Sequence, residues 1–304
     1  MSATWNERFA SWAQAPSQTE TNRIDNAIAA IKNALAADPK VASVTKVFVQ
    51  GSYRNRVNVR QDSDVDIGVL YTGNLFGTDY PPGKTAADFN LIGAEYGYSD
   101  FKNDIEKALV SRFGRVAVTR GDKAFDIHEN TYRVDADVVP LIVHRRYAVD
   151  GSYICGTELR PDNGGRIINW PERLYDTHIW PRQHYENGNT KNNDTRRAYR
   201  GVVRIVKKLR NIMDEENVAE AKPIKGFNIE CLAWNTPNTC FAHATWYEDV
   251  SAVLSHLSYN LSSMVLCEEW GEVSELKYLL KGDDTKRKQF KAFVDGARGY
   301  IGSA

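Results

Sequence analysis

Residues 47–70 constrain this chain more than any other stretch. An apolar run, Val47-Phe48-Val49, ends at Gly51-Ser52. A polar segment follows, and a second apolar run opens with Asp64-Val65-Asp66-Ile67. β-Branched runs broken by Gly-Ser read as a buried strand, a turn and a second strand. Side chains alternate across an extended chain, so Asp64 and Asp66 leave the same face.

Two carboxylates a few ångströms apart repel each other unless a cation lies between them or one is protonated. Mg²⁺ suits the pair, because it takes oxygen ligands and keeps positions open for phosphate oxygens. Residues 131–139 offer a third carboxylate. Tyr132, Val134, Ala136 and Val138 alternate with Arg133, Asp135 and Asp137, which places both Asp135 and Asp137 on a polar strand face, either of them able to complete the set. With three carboxylates a two-metal site is complete. One ion would lower the pKa of an attacking hydroxyl, and the other would hold a triphosphate and stabilise leaving pyrophosphate. Gly51 gives the backbone freedom to wrap a phosphate, and Ser52 adds an N–H and a hydroxyl.

The 304 residues suffice for one large domain or two smaller ones. Charged residues make up 26% and the formal net charge is zero, which argues against nucleic acid as an obligatory partner. Four widely spaced cysteines lack a C-x-x-C pair and read as reduced thiols. The N-terminus lacks a signal-peptide core and no run is long enough to span a membrane, so the expectation is a cytoplasmic protein.

The periodicity predicts helices over 18–37 and 99–113, the second capped by Ser99, and strands over 44–50, 65–71, 115–120, 124–128, 131–139 and 141–147. Residues 72–97 read as an irregular excursion and 151–195 as a long connection on a cleft rim. Further helices are expected over 196–216, 227–234, 246–266 and 285–300. The first half is thus mixed α/β and the second mostly helical, with a division expected into residues 1–150 and 151–304.

Gly-Ser followed by a strand with two aspartates and a later third aspartate resembles the nucleotidyltransferase superfamily of DNA polymerase β. Residues 50–67 go further. They are similar to the bacterial relatives of cyclic GMP-AMP synthase, the CD-NTases of CBASS anti-phage defence, and above all to their CdnE-type clade. Ala136-Asp137-Val138-Val139, His184-Tyr185-Glu186-Asn187-Gly188 with Lys191-Asn192, Arg204-Ile205-Val206-Lys207 and Gly226-to-Leu232 support the resemblance, which spans about two-thirds of the chain.

The resemblance implies an α+β, bilobal fold: a polymerase-β-like catalytic core, a mostly helical C-terminal half and a central cleft. It implies metal ligation by Asp64, Asp66 and Asp137, preferring Asp137 over Asp135, with Mg²⁺ or alternatively Mn²⁺. It implies nucleotide contacts from Gln50, Gly51, Ser52, Lys207 and Phe227. Asn169 falls where CdnE-like enzymes carry a base-reading residue, and asparagine there is associated with uracil, whose edge an amide can pair. The alignment near it crosses an insertion around Leu174–Pro181. Where relatives show Ser-Tyr, this chain has Gly226-Phe227, which removes a serine contact to phosphate and leaves Phe227 either to stack on a base or to join the core.

The implied activity is a cyclic oligonucleotide synthase. It would join nucleoside triphosphates, UTP or ATP among them, into a cyclic di- or trinucleotide messenger and release pyrophosphate. A downstream effector would recognise the product rather than the protein. Two other readings share these residues: a nucleotidyltransferase acting on a small molecule, protein or tRNA, and a non-catalytic nucleotide-binding relative.

Overall fold

Val65, Ile67, Val69, Ala136 and Val138 stand at alternate positions and are all buried, while Asp66 and Asp137 on the opposite parity are only half-buried. That division of faces builds the sheet. The computed structural model describes residues 2–60, 64–169, 182–275 and 277–302. The segment 170–181, with Trp170-Pro171 and the insertion at Leu174–Pro181, lies outside the described residues, as do Asp62 and Ser63.

In chain order the elements begin with α1 (Ser2–Trp12), α2 (Gln18–Ala36), α3 (Pro39–Ala42), β1 (Thr45–Gln50), α4 (Gly51–Arg54), β2 (Val65–Asp79) and α5 (Tyr98–Phe113). Next come β3 (Val118–Arg120), β4 (Phe125–Ile127), β5 (Ala136–Tyr147), β6 (Tyr153–Leu159) and β7 (Ile167–Asn169). The chain continues with α6 (Arg182–Asp194), α7 (Ala198–Glu215), α8 (Gly226–Trp234), α9 (Trp246–Asn260) and α10 (Asp284–Ile301).

The described chain forms two units, each with its own core. The sheet unit comprises Gln18–Tyr53 and Asp64–Pro181. Its strands run in the order β1-β2-β5-β4-β3, with β6 on β5 and β7 on β6. β2 and β5 are parallel, and the other pairs are antiparallel. Ile24, Ala27, Ile31 and Leu35 of α2 and Phe101, Ile105 and Leu109 of α5 pack on the apolar sheet face.

The helical unit comprises Met1–Ser17, Arg54–Ser63 and Arg182–Ala304. Val202, Val203, Ile205, Val206 and Leu209 of α7 lie at its centre, with Phe9, Ile229, Val253, Leu254, Phe290 and Phe293 around them. Among the described residues no helix is long and apolar enough to cross a membrane. All four cysteines are free thiols.

Several elements differ from the sequence expectation. β2 continues to Asp79 through residues read as an excursion, because β5 supplies partners for Phe76–Asp79 after a register shift at Tyr71/Phe76. The sheet unit likewise runs past residue 150, since β6 completes the hydrogen bonding of β5. Residues 1–17 and 54–63 belong with the helices, where Phe9 and Val57 are core. The N-cap of α5 is Gly97, whose N–H donates to Asp100 Oδ2 at 2.9 Å, and not Ser99. The alternation at 131–139 becomes strand only at Ala136, and Tyr132 is 75% exposed.

Candidate active site

Sheet register gathers the acidic residues into a row. Gln50 on β1 pairs with Asp66 on β2, Asp66 with Asp137 on β5, and Asp137 with Asp126 on β4. Neighbouring strands lie about 4.8 Å apart, and paired residues project to the same face. Three aspartates from three chain segments therefore stand side by side on the face opposite the apolar core.

Gly51 closes one end of the row. Its φ is +67°, in the left-handed region, and a Cβ built on it would lie 1.8 Å from Asp66 Oδ2. Only glycine lets the main chain turn there and lie directly against that carboxylate. Ser52 follows in the one-turn helix α4. The β2 ladder begins at Val65, so Asp64 lies just outside it, exposed.

The Asp137 carboxyl is pushed up to about 6, first by burial and then by the charges of Asp66, Asp126 and Asp135. A divalent cation would relieve this repulsion. An all-oxygen donor set on a half-buried face fits such an ion.

Sequence reading missed Asp126 and His128. Among the described residues, the trio of His, Cys, Asp or Glu side chains whose ligand atoms all lie within 4.8 Å of one another is Asp126, His128 and Asp135. Asp64, Asp66 and Asp137 do not converge that closely. The signal was present in the sequence: Phe125 and Ile127 are buried, which turns Asp126 and His128 outward.

Asn169 is the last residue of β7, exposed and paired with Thr157, which in turn pairs with Val143. Val143 is six residues along β5 from Asp137, roughly 20 Å at strand rise. The sheet does not bring Asn169 into the carboxylate row.

In the helical unit, Lys207 is not a solvated lysine. It is 5% exposed, donates to the Val57 carbonyl at 3.2 Å and lies 4.0 Å from Glu230 Oε2. Gly226 makes room for it, since a Cβ there would meet Lys207 Cε at 3.4 Å. Burial would raise the Glu230 carboxyl, but the hydrogen bond with His184 Nε2 at 2.8 Å and the charges of His184, Lys207 and Arg200 hold it below its ordinary value. Phe227 is 43% exposed, its ring 5.9 Å from that of His184, so it stands outside the core. Arg54, Arg56 and Arg200 surround the Tyr185 ring at 4.3, 5.8 and 5.8 Å.

A mixed sheet bearing paired aspartates beside a glycine turn, together with a helical C-terminal half, defines a nucleotidyltransferase of the polymerase β type. Residues 186–302 match the cGAS/DncV-like nucleotidyltransferase C-terminal helical domain. The chain is 39% identical over 307 residues to a cyclic dipyrimidine nucleotide synthase CdnE of Legionella pneumophila, covering 99% of each chain. It is 38% identical over 278 residues to the protein of that name from Cecembia lonarensis, covering 91% of this chain and 90% of that one. The structure of the Elizabethkingia meningoseptica CdnE cyclic dinucleotide synthase with GTP and Apcpp superposes with a TM-score of 0.76 at 28% identity, covering 98% of each chain. The chain therefore belongs to the cGAS/DncV-like nucleotidyltransferases, enzymes that use a divalent metal to join nucleotides into cyclic products.

Proposed function

We propose that this enzyme makes a pyrimidine-containing cyclic dinucleotide from nucleoside triphosphates, UTP among them, as a messenger in anti-phage signalling. The observation that carries this reading is the register that sets Asp66 beside Asp137, with the Gly51 main chain against Asp66. The likeness to two dipyrimidine synthases supports pyrimidine use, and Asn169 is the residue assigned to base choice.

In the reaction, a ribose hydroxyl of one nucleotide attacks the α-phosphorus of another. A new P–O bond forms, the bond to pyrophosphate breaks, and the hydroxyl proton leaves to solvent. The linear product turns over, and a second attack closes the ring. Asp64, Asp66 and Asp137 are the proposed ligands of Mg²⁺, which would supply charge for the leaving pyrophosphate and acidify the attacking hydroxyl. Gly51 and Ser52 would present main-chain N–H groups to the triphosphate, beside Gln50 at the end of β1. Lys207 and Phe227 are proposed as phosphate and base contacts. Protons compete with the cation for Asp137, so activity is expected to fall as the pH drops below about 6.

The test is incubation with an equimolar mixture of four labelled triphosphates and Mg²⁺, followed by phosphatase treatment and mass spectrometry. A phosphatase-resistant cyclic product containing uridine or cytidine is expected. Absence of cyclic product from every mixture overturns the synthase reading, and purine-only products overturn the base assignment.

A further inference from the structure

Asp126 and His128 flank Ile127 at the end of β4, and Asp135 immediately precedes β5. All three lie on the polar face of the sheet, with ligand atoms mutually within 4.8 Å. Two ligand atoms about 2.1 Å from a shared ion sit roughly 3.4 Å apart in a tetrahedron and up to about 4.2 Å apart across an octahedron. The spread of the trio is thus slightly wider than a shared ion requires.

The surroundings orient the trio. His128 Nε2 and Thr119 Oγ1 are 2.9 Å apart. With the Nε2 proton donated to Thr119, the Nδ1 lone pair faces Asp126 Oδ2 at 3.6 Å, too far for a hydrogen bond between them. That separation is close to the roughly 3.4 Å between two ligands of one tetrahedral ion, so a cation fits between them. Asp135 Oδ1 is engaged by the Glu129 N–H at 2.5 Å, which fixes the carboxyl and leaves its second oxygen for a ligand.

The loop carrying these groups is clamped from α2. Arg23 donates to Glu129 Oε2 at 2.7 Å and to the Asn130 and Arg133 carbonyls at 3.0 Å, and Asn26 donates to the Tyr132 carbonyl. Metal-binding histidines commonly donate their second ring N–H to an acceptor, a part the Thr119 hydroxyl can play for His128 Nε2.

We propose that Asp126, His128 and Asp135 bind a divalent transition-metal ion of the Zn²⁺ class, separately from the aspartates assigned to nucleotidyl transfer. The site does not rest on the reaction proposed above. Imidazole selects transition ions over Mg²⁺, which favours oxygen ligands.

The test is calorimetric titration of Zn²⁺ into the Asp66→Asn/Asp137→Asn double variant, which lacks the neighbouring carboxylates. One equivalent is expected to bind. Adding His128→Ala or Asp126→Asn is expected to weaken binding by about 100-fold, and Thr119→Val by about 10-fold. The visible bands of the Co²⁺-loaded protein are expected to change on His128→Ala, as loss of a nitrogen ligand requires. A parallel titration of the unaltered protein in excess Mg²⁺ covers misfolding of the variant. Failure of Zn²⁺ to bind under both conditions overturns the proposal, as does binding that His128→Ala leaves unchanged.

Discussion

Two buried or half-buried groups of charge sit in the two units, and they are balanced differently. On the sheet, Asp66, Asp126, Asp135 and Asp137 crowd one face, and burial with mutual repulsion raises Asp137 to about 6. In the helical unit Glu230 is more deeply buried, yet its carboxyl is held low by His184, Lys207 and Arg200. Both places remove carboxylates from water, but Asp137 is pushed up by burial and by three neighbouring carboxylates, whereas His184, Lys207 and Arg200 hold Glu230 down. A carboxyl raised in this way, on a half-buried sheet face, is a candidate for binding a cation.

The largest effect that would break this contrast is on turnover. Asp66→Asn and Asp137→Asn should each lower cyclic product formation by about 10³-fold or more, measured as pyrophosphate release. In the metal-free protein Asp137→Asn should also raise the thermal midpoint, because a repelled charge has gone. A fall in the midpoint would show that the row is structurally compensated after all. Glu230→Gln should behave oppositely and destabilise by about 3 kcal/mol, since it leaves Lys207 buried beside a neutral group. Denaturant unfolding of the two variants decides between these signs.

Gly51→Ala sharpens the geometry. The left-handed backbone alone should cost about 1–2 kcal/mol, and the clash with Asp66 should add a loss of activity larger than any loss of stability. The smallest expected effect is in pH dependence. Asp137 has a folded-state pKa above its unfolded value, so it destabilises the metal-free protein above about 6 and this penalty is relieved as the pH falls toward 4. Glu230 has a lowered folded-state pKa, so its contribution is present above about 4.5 and lost below. Excess divalent cation should flatten the first slope and leave the second. Unfolding at several pH values, with and without the ion, separates them.

Much of this was legible in the chain. The amphipathic stripes of α2, α5 and α7, the helix α10 and the strands ending at Gln50 and starting at Val65 all follow from local periodicity. The glycine at 51 was readable as a turn. The extension of β2 to Asp79 was not, because Gly73 and Gly77 break its alternation and only β5 provides partners. β6 and β7 were hidden because their partners, β5 and β6, meet them only in the fold, and α1 was placed by burial of Phe9 rather than by any strong signal of its own.

What the sequence alone determined was the set of chemical groups: a glycine turn, two aspartates at strand parity and a later Asp-x-Asp. That pattern is local, set by side-chain period and by the conformations glycine permits. Which of Asp135 and Asp137 stands beside Asp66, the addition of Asp126 to the row and the burial of Lys207 against Val57 were decided only in three dimensions. Register between strands some 70 residues apart depends on which apolar faces can be buried together, and no local pattern carries that information.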